Sequence, residues 1–238
     1  MRKYLLLNAL LVGFSLIGIT RAQDSRPNPQ ALPESSSATL EQPLFDDDGG
    51  RVFIVRRNPG ALTTLRHHGG AVISQPQQYN IFLGSGWSDP GLRQREAVFA
   101  NLLSNKGIRV DQLALESYGV KNTFLPSGSY EQPYDFSSDH SISDLQVRRV
   151  LEEMLETRTI QGGLNYIYIV FLPPGVNSKL GSMIGGKHFT AYHNFFHAKP
   201  DVINYVVLPF EPEMKVARQS AARALIGATV NPTGDGWY

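Results

Sequence analysis

The chain has 238 residues, with 22 Lys and Arg against 21 Asp and Glu, and no cysteine. Near-neutral charge without a Lys/Arg cluster argues against nucleic acid or an anionic membrane surface as partner. The missing cysteines exclude disulfides, thiol nucleophiles, Cys-ligated zinc and iron–sulfur clusters, so the fold must rest on its apolar core.

Residues 1–22 read as a secretory signal. Arg2 and Lys3 give a basic start, Tyr4 to Ile19 is almost uninterrupted apolar, and Thr20-Arg21-Ala22 offers a cleavage site after Ala22. The run is short for a membrane span, and nothing later reaches about 18 consecutive apolar residues. Retention as an anchor is the alternative, because Arg21 lies inside the cleavage site. Cleavage removes Arg2, Lys3 and Arg21 and no acid, leaving a slightly acidic mature chain. The expected location is secreted or periplasmic, and the absence of disulfides suits a bacterial envelope protein.

Residues 23–50 read as a disordered linker. They carry Pro27, Pro29, Pro33 and Pro43, the run Ser35-Ser36-Ser37, and Asp46-Asp47-Asp48-Gly49-Gly50. So few apolar residues cannot offset the entropy of ordering. The Asp run lacks the spaced ligands and distal Glu of a calcium loop.

A folded α/β domain is expected over residues 51–238. Val52 to Val55 is a short β-type run. Val72-Ile73 and Tyr79 to Leu83 look like two strands split by Gln75-Pro76. Asp89-Pro90 opens a helix as N-cap and first-turn proline, with Leu92, Val98, Phe99, Leu102 and Leu103 at helical spacing and Gly107 as its stop. Ile108 to Leu115 predicts a strand, with a partner around Val120 to Leu125. Pro126 to His140 predicts a polar, aromatic loop.

Ser143 and Gln146 form a capping-box pattern for a helix running to about Thr157, with Val147, Val150, Leu151, Met154 and Leu155 as its buried stripe. Tyr166 to Leu172 is rich in β-branched and aromatic residues and ends at Pro173-Pro174, which predicts a central strand. Val202 to Phe210 predicts another. A last helix spans about Glu213 to Ile226. Its alanines at 217, 221, 224 and 228 form a small-residue face for close packing. Strands alternating with helices predict a mixed sheet flanked by about three helices.

Two stretches carry a family likeness. One is His67-His68-Gly69-Gly70-Ala71-Val72-Ile73, followed by Tyr79–Leu83 and Gly84-Ser85-Gly86-Trp87. The other is Ala224-Leu-Ile-Gly-Ala-Thr-Val-Asn-Pro-Thr-Gly-Asp-Gly-Trp-Tyr238. Together they resemble the EXORDIUM, or phosphate-induced protein 1, family. The plant members are secreted apoplastic proteins linked to growth control, with no established catalytic activity. The resemblance implies a secreted, non-enzymatic protein. Without cysteines, the plant disulfides and growth signalling do not carry over.

The C-terminal order is also similar to exported bacterial proteins whose last helix carries a His-Glu zinc motif. Aligned on Asn231-Pro232, that motif falls on Arg223, Ala224 and Gly227, none of which can hold zinc or move a proton there.

Three histidines, His188, His193 and His197, lie in one aromatic segment and are the alternative metal set of a zinc-dependent hydrolase. His193 and His197 share a face on either a strand or a helix. No carboxylate stands at a suggestive spacing, so no cofactor is expected. No Gly-x-Ser-x-Gly elbow occurs. Gly84-Ser85-Gly86 lacks the later glycine of a dinucleotide fingerprint. Aromatic faces stack on sugar C–H groups, so His68, Trp87, Tyr192, His193 and Trp237 are candidate ligand-binding residues, Trp87 foremost because it lies in a Gly/Ser turn. The expectation is an exported binding protein whose partner is an extracellular or envelope ligand, with carbohydrate one candidate, leaning away from an enzyme.

Overall fold

The run Tyr-Ile-Tyr-Ile-Val-Phe, where side chains on both faces are apolar, takes a central place in the sheet, as continuous apolar strands do when covered on both sides. The computed structural model describes residues 44–45, 51–56, 68–92, 94–95, 115, 118–120, 125–136 and 139–236, all within the unit Pro33–Tyr238. The signal expected at 1–22 lies outside the described residues, as does the linker apart from Leu44–Phe45.

The strands are β1 (Leu44–Phe45), β2 (Arg51–Val55), β3 (Gln77–Leu83), β4 (Leu125–Gln132), β5 (Ser141–Ser143), β6 (Tyr166–Phe171), β7 (Asn177–Leu180), β8 (Met183–Ile184), β9 (Ala191–Ala198) and β10 (Asp201–Leu208). Two α-helices are described in full, α1 (Asp144–Glu156) and α2 (Met214–Val230). The main sheet runs β1-β2-β9-β10-β6-β3-β4, and β5-β7-β8 form a small second sheet. Strands β10, β6, β3 and β4 are parallel, while β9 is antiparallel to both β10 and β2. The fold is therefore α/β with a mixed sheet.

Each face of the sheet carries its own core. Val147, Val150, Leu151 and Met154 of α1 pack with Ile81, Tyr168, Val170, Tyr192 and Tyr205. On the other face Ala217, Ala221, Ala224 and Ala228 of α2 pack with Phe82, Ile167, Ile169, Val206 and Leu208. Small side chains bring the α2 backbone close to the strands, as their spacing predicts. The α1 start is the expected capping box: the Ser143 hydroxyl accepts from the Gln146 backbone N–H, and the Gln146 side chain accepts from the Ser143 N–H at 2.8 Å. Asp89 caps residues 90–95, its Oδ1 accepting from the Gly91 N–H at 2.7 Å.

Four expectations change. Leu44–Phe45, inside the segment read as linker, pairs with β2, because two apolar residues there can extend the sheet edge. Val72-Ile73 is not a strand. The Ile73 N–H instead donates to Thr229 at the end of α2, and its side chain enters the α2-side core. Leu115, read as the end of a strand, is helical, and the rest of Ile108–Leu115 lies outside the described residues. Pro126 to Gln132, read as loop, belongs to β4. Proline, glycine and serine are tolerated there because β4 is an edge strand.

Candidate functional site

The strand order has a switch point between β3 and β6. From β3 the chain proceeds to β4 on one side, and from β4 it returns across β3 to β6 on the other. The segment after β3 enters the α2-side core through Trp87 and Leu92. The segment after β6 enters the α1-side core through Val176 and Leu180. Adjacent parallel strands whose connections leave to opposite faces open a crevice at their carboxyl ends, where open α/β sheets bind ligands.

The turn Gly84-Ser85-Gly86-Trp87 follows β3 at this switch point. Gly84 has φ +87°, a conformation that favours glycine, and a Cβ there would overlap the Phe136 ring. A Cβ on Gly86 would meet Pro173 Cβ at 2.8 Å, so the turns after β3 and β6 touch. The Gly84 N–H donates to the Gln132 carbonyl at 2.8 Å, tying in the end of β4. Beyond β4, Tyr134 and Phe136 stand 4.7 Å apart with rings tilted by 52°, both half-buried. Burial is the main reason the Tyr134 hydroxyl titrates above its ordinary value, helped by the Asp139 charge. Asp139 itself is held down to about 2 by hydrogen bonds from Lys179 and Ser141. Exposed Ser85, half-buried aromatic rings and fixed backbone groups thus meet at one place.

The structure does not bring the five candidate ligand-binding residues together. His68 is exposed at the amino end of the parallel strands, where its N–H donates to the Gly236 carbonyl at 2.7 Å. Trp87 is at the carboxyl end but is 2% exposed, edge-on to Phe82 at 5.0 Å and to Phe171 at 6.4 Å. Its ring faces belong to the core and offer no open platform for a sugar. Tyr192 is fully buried on the α1 face, and burial beside Asp144 drives its hydroxyl well above the ordinary tyrosine range. His193 follows it on β9 and so points to the opposite face. Trp237 lies outside the described residues.

The histidines do not converge either. His193 is 1% exposed, stacked on Phe53 at 4.8 Å, and neither ring nitrogen has a hydrogen-bond partner among the described residues. Burial pushes its pKa down to about 3. His188 Nδ1 accepts from the Ile184 N–H at 2.8 Å. His197 is exposed, edge-on to Phe195. Among the described residues no three His, Cys, Asp or Glu side chains are grouped to hold a metal ion, and no helix is long and apolar enough to cross a membrane.

A buried ionic network escaped the sequence reading. Asp144, at the first position of α1, accepts from Tyr205 at 2.6 Å and from Asn194 at 3.2 Å, and pairs with Arg148 at 2.9 Å. Arg148 Nε also donates to the Tyr205 hydroxyl at 3.0 Å. The i, i+4 spacing of Asp144 and Arg148 was visible in the sequence. The partners on β9 and β10 were not.

The two stretches that carry the family likeness do meet. A Cβ on Gly70 would overlap the Gly236 backbone, and Asn231 Oδ1 accepts from the Gly236 N–H at 2.8 Å. This contact lies at the amino end of the parallel strands, away from the Gly84 turn. Comparison with protein-family models, with curated proteins and with solved structures finds no match to this chain.

Proposed function

We propose that this chain is an exported, non-enzymatic protein of EXORDIUM-like type that binds an extracellular or envelope carbohydrate at the carboxyl ends of β3 and β6. The carrying observation is the Tyr134–Phe136 pair, half-exposed beside the Gly84 turn at the strand-order switch. Aromatic rings offer faces to sugar C–H groups, while the polar turn offers hydrogen bonds to hydroxyls. Sites of this kind combine apolar walls with a few placed polar groups. The N-terminal pattern of residues 1–22 supports export, and the Gly70–Gly236 contact supports reading the two likeness stretches as one structural unit.

Titration of the full chain with neutral oligosaccharides, followed through the amide resonances of Ser85, Gly86 and Phe136, tests the reading. Saturable shifts at these residues, weakened in Phe136→Ala, are expected with one member of a glucan, mannan, xylan and chitin series. No shift across the series overturns the binding site. Release of shorter sugars during the titration overturns the non-enzymatic assignment.

A further inference from the structure

We infer that the cavity between the end of α1 and the β9–β10 turn is a binding site for a short peptide with free termini. Its lining shares no residue with the Gly84 turn, so it stands or falls independently of the carbohydrate reading. The cavity has a volume of about 730 Å³. That is inside the range of about 300–1,000 Å³ typical of ligand pockets. Leu155, Ile160 and Ala198 give it an apolar lining, and Glu152, Glu156, Arg158, Lys199 and Asp201 bring charges of both signs to the same space.

One wall is built by the loop that leads into β6. The Tyr168 hydroxyl donates to the Gln161 carbonyl, and the Tyr166 hydroxyl donates to Gln161 Oε1 at 3.2 Å. A Cβ on Gly162 would overlap the Asp201 carboxylate, so that carboxylate rests directly on the loop backbone. The opposite charges around the cavity do not cancel one another. None of the five charged side chains has a hydrogen-bond or ion-pair partner among the described residues.

Glu152 and Glu156 stand one turn apart on α1, and the last turn of that helix holds no basic residue. Like charges at this spacing repel, and a helix C-terminus carries partial negative charge of its own. An ammonium group entering the cavity relieves both. Arg158, in a left-handed turn just past the helix with φ +56°, brings a fork of N–H donors that matches a carboxylate. A guest of one sign answers one set of charges and is repelled by the other. A peptide with free termini answers both, and small apolar side chains suit the Leu155, Ile160 and Ala198 surface. In a free amino acid the two charges share one carbon, whereas a cavity of this size holds a chain between them.

The test titrates the full chain with trialanine, N-acetyl-trialanine, trialanine amide, alanine, spermidine and succinate, and follows the Gln161, Gly162 and Ala198 amide resonances. Trialanine is expected to shift them saturably. Each blocked peptide should bind at least tenfold more weakly, the effect of losing one charge-assisted hydrogen bond. Glu156→Gln should weaken trialanine about tenfold but leave N-acetyl-trialanine, which has no ammonium, unchanged. Arg158→Asn keeps a residue that accepts the left-handed turn; it should weaken trialanine about tenfold and leave trialanine amide unchanged. Both side chains are exposed, so neither change removes a core contact. Spermidine or succinate binding as tightly as trialanine overturns the two-charge guest, and alanine doing so overturns the peptide. Equal affinity for blocked and unblocked trialanine overturns the role of the termini. No shift with any of the six overturns the site, and none of these outcomes touches the sugar titration read at Ser85 and Phe136.

Discussion

Gly70 and Gly236 lie backbone against backbone, so close that a Cβ on Gly70 would overlap the Gly236 amide nitrogen and Cα. The contact is fastened on both sides, by His68 N–H donating to Gly236 and Ile73 N–H donating to Thr229 at 2.8 Å. It joins the segment entering β3 to the end of α2, which are far apart in the chain. Gly70→Ala is therefore expected to destabilise the domain by about 1–3 kcal/mol, the usual effect of forcing an extra methyl group into a packed contact. An unchanged chemical-denaturation midpoint would show that the two segments separate easily.

The alanine face of α2 makes a second, independent closeness. Ala221 and Ala224 are buried against Val206, Ile167 and Ile169. Replacing either with Leu should cost about 1–3 kcal/mol through overpacking. Thermal melting of both variants reads the effect. Wild-type melting temperatures in both would mean that α2 lies farther from the sheet than described.

His193 predicts an acid-sensitive fold. Its folded pKa of about 3 lies below its ordinary 6.5, because burial disfavours the charged ring. Above pH 6.5 both folded and unfolded chains hold it neutral, and it contributes no pH dependence. As pH falls from 6.5 towards 3, the unfolded chain takes up a proton that the native state refuses, and stability drops by about 1.4 kcal/mol per pH unit. His193→Phe preserves the stack on Phe53 and removes the proton site. Denaturation midpoints measured across this range should fall less steeply in the variant. Parallel curves would refute the assignment.

Asp144 is the residue whose loss should matter most on the α1 face. Asp144→Ala leaves the Arg148 guanidinium, half-buried, without its carboxylate and deprives Tyr205 of its acceptor. Breaking a buried pair on one side costs about 3–5 kcal/mol. The double variant Asp144→Ala with Arg148→Met, which also removes the stranded charge, should recover part of that loss. A double variant no more stable than the single one would place the energy elsewhere than in the ion pair.

Where local pattern and burial agreed, the sequence was readable. The capping box of Ser143 and Gln146 specified the α1 start because its hydrogen bonds are made within four residues. The apolar run of β6 and the alanine spacing of α2 likewise report which sides are buried. β4 was hidden because Pro126, Gly128 and Ser129 carry no strand signature; it extends only because β3 offers a free parallel edge. β9 was hidden for a different reason. Its polar residues His193 and Asn194 are buried on opposite faces, so no alternation of polar and apolar marks the strand.

The sequence by itself determined that this chain lacks thiol and disulfide chemistry, that its net charge is nearly neutral, and that helices alternate with strands. These follow from composition and from spacing within a few residues, where the chemistry is local. Only the tertiary structure decided which residues meet. It placed Tyr192 and His193, neighbours in the chain, on opposite faces of the sheet, and turned the faces of Trp87 into the core. It also set Phe136 on Gly84 and Gly236 on Gly70. The physical reason is that strand order and register depend on long-range pairing, and local propensity carries no record of which strand will become a neighbour.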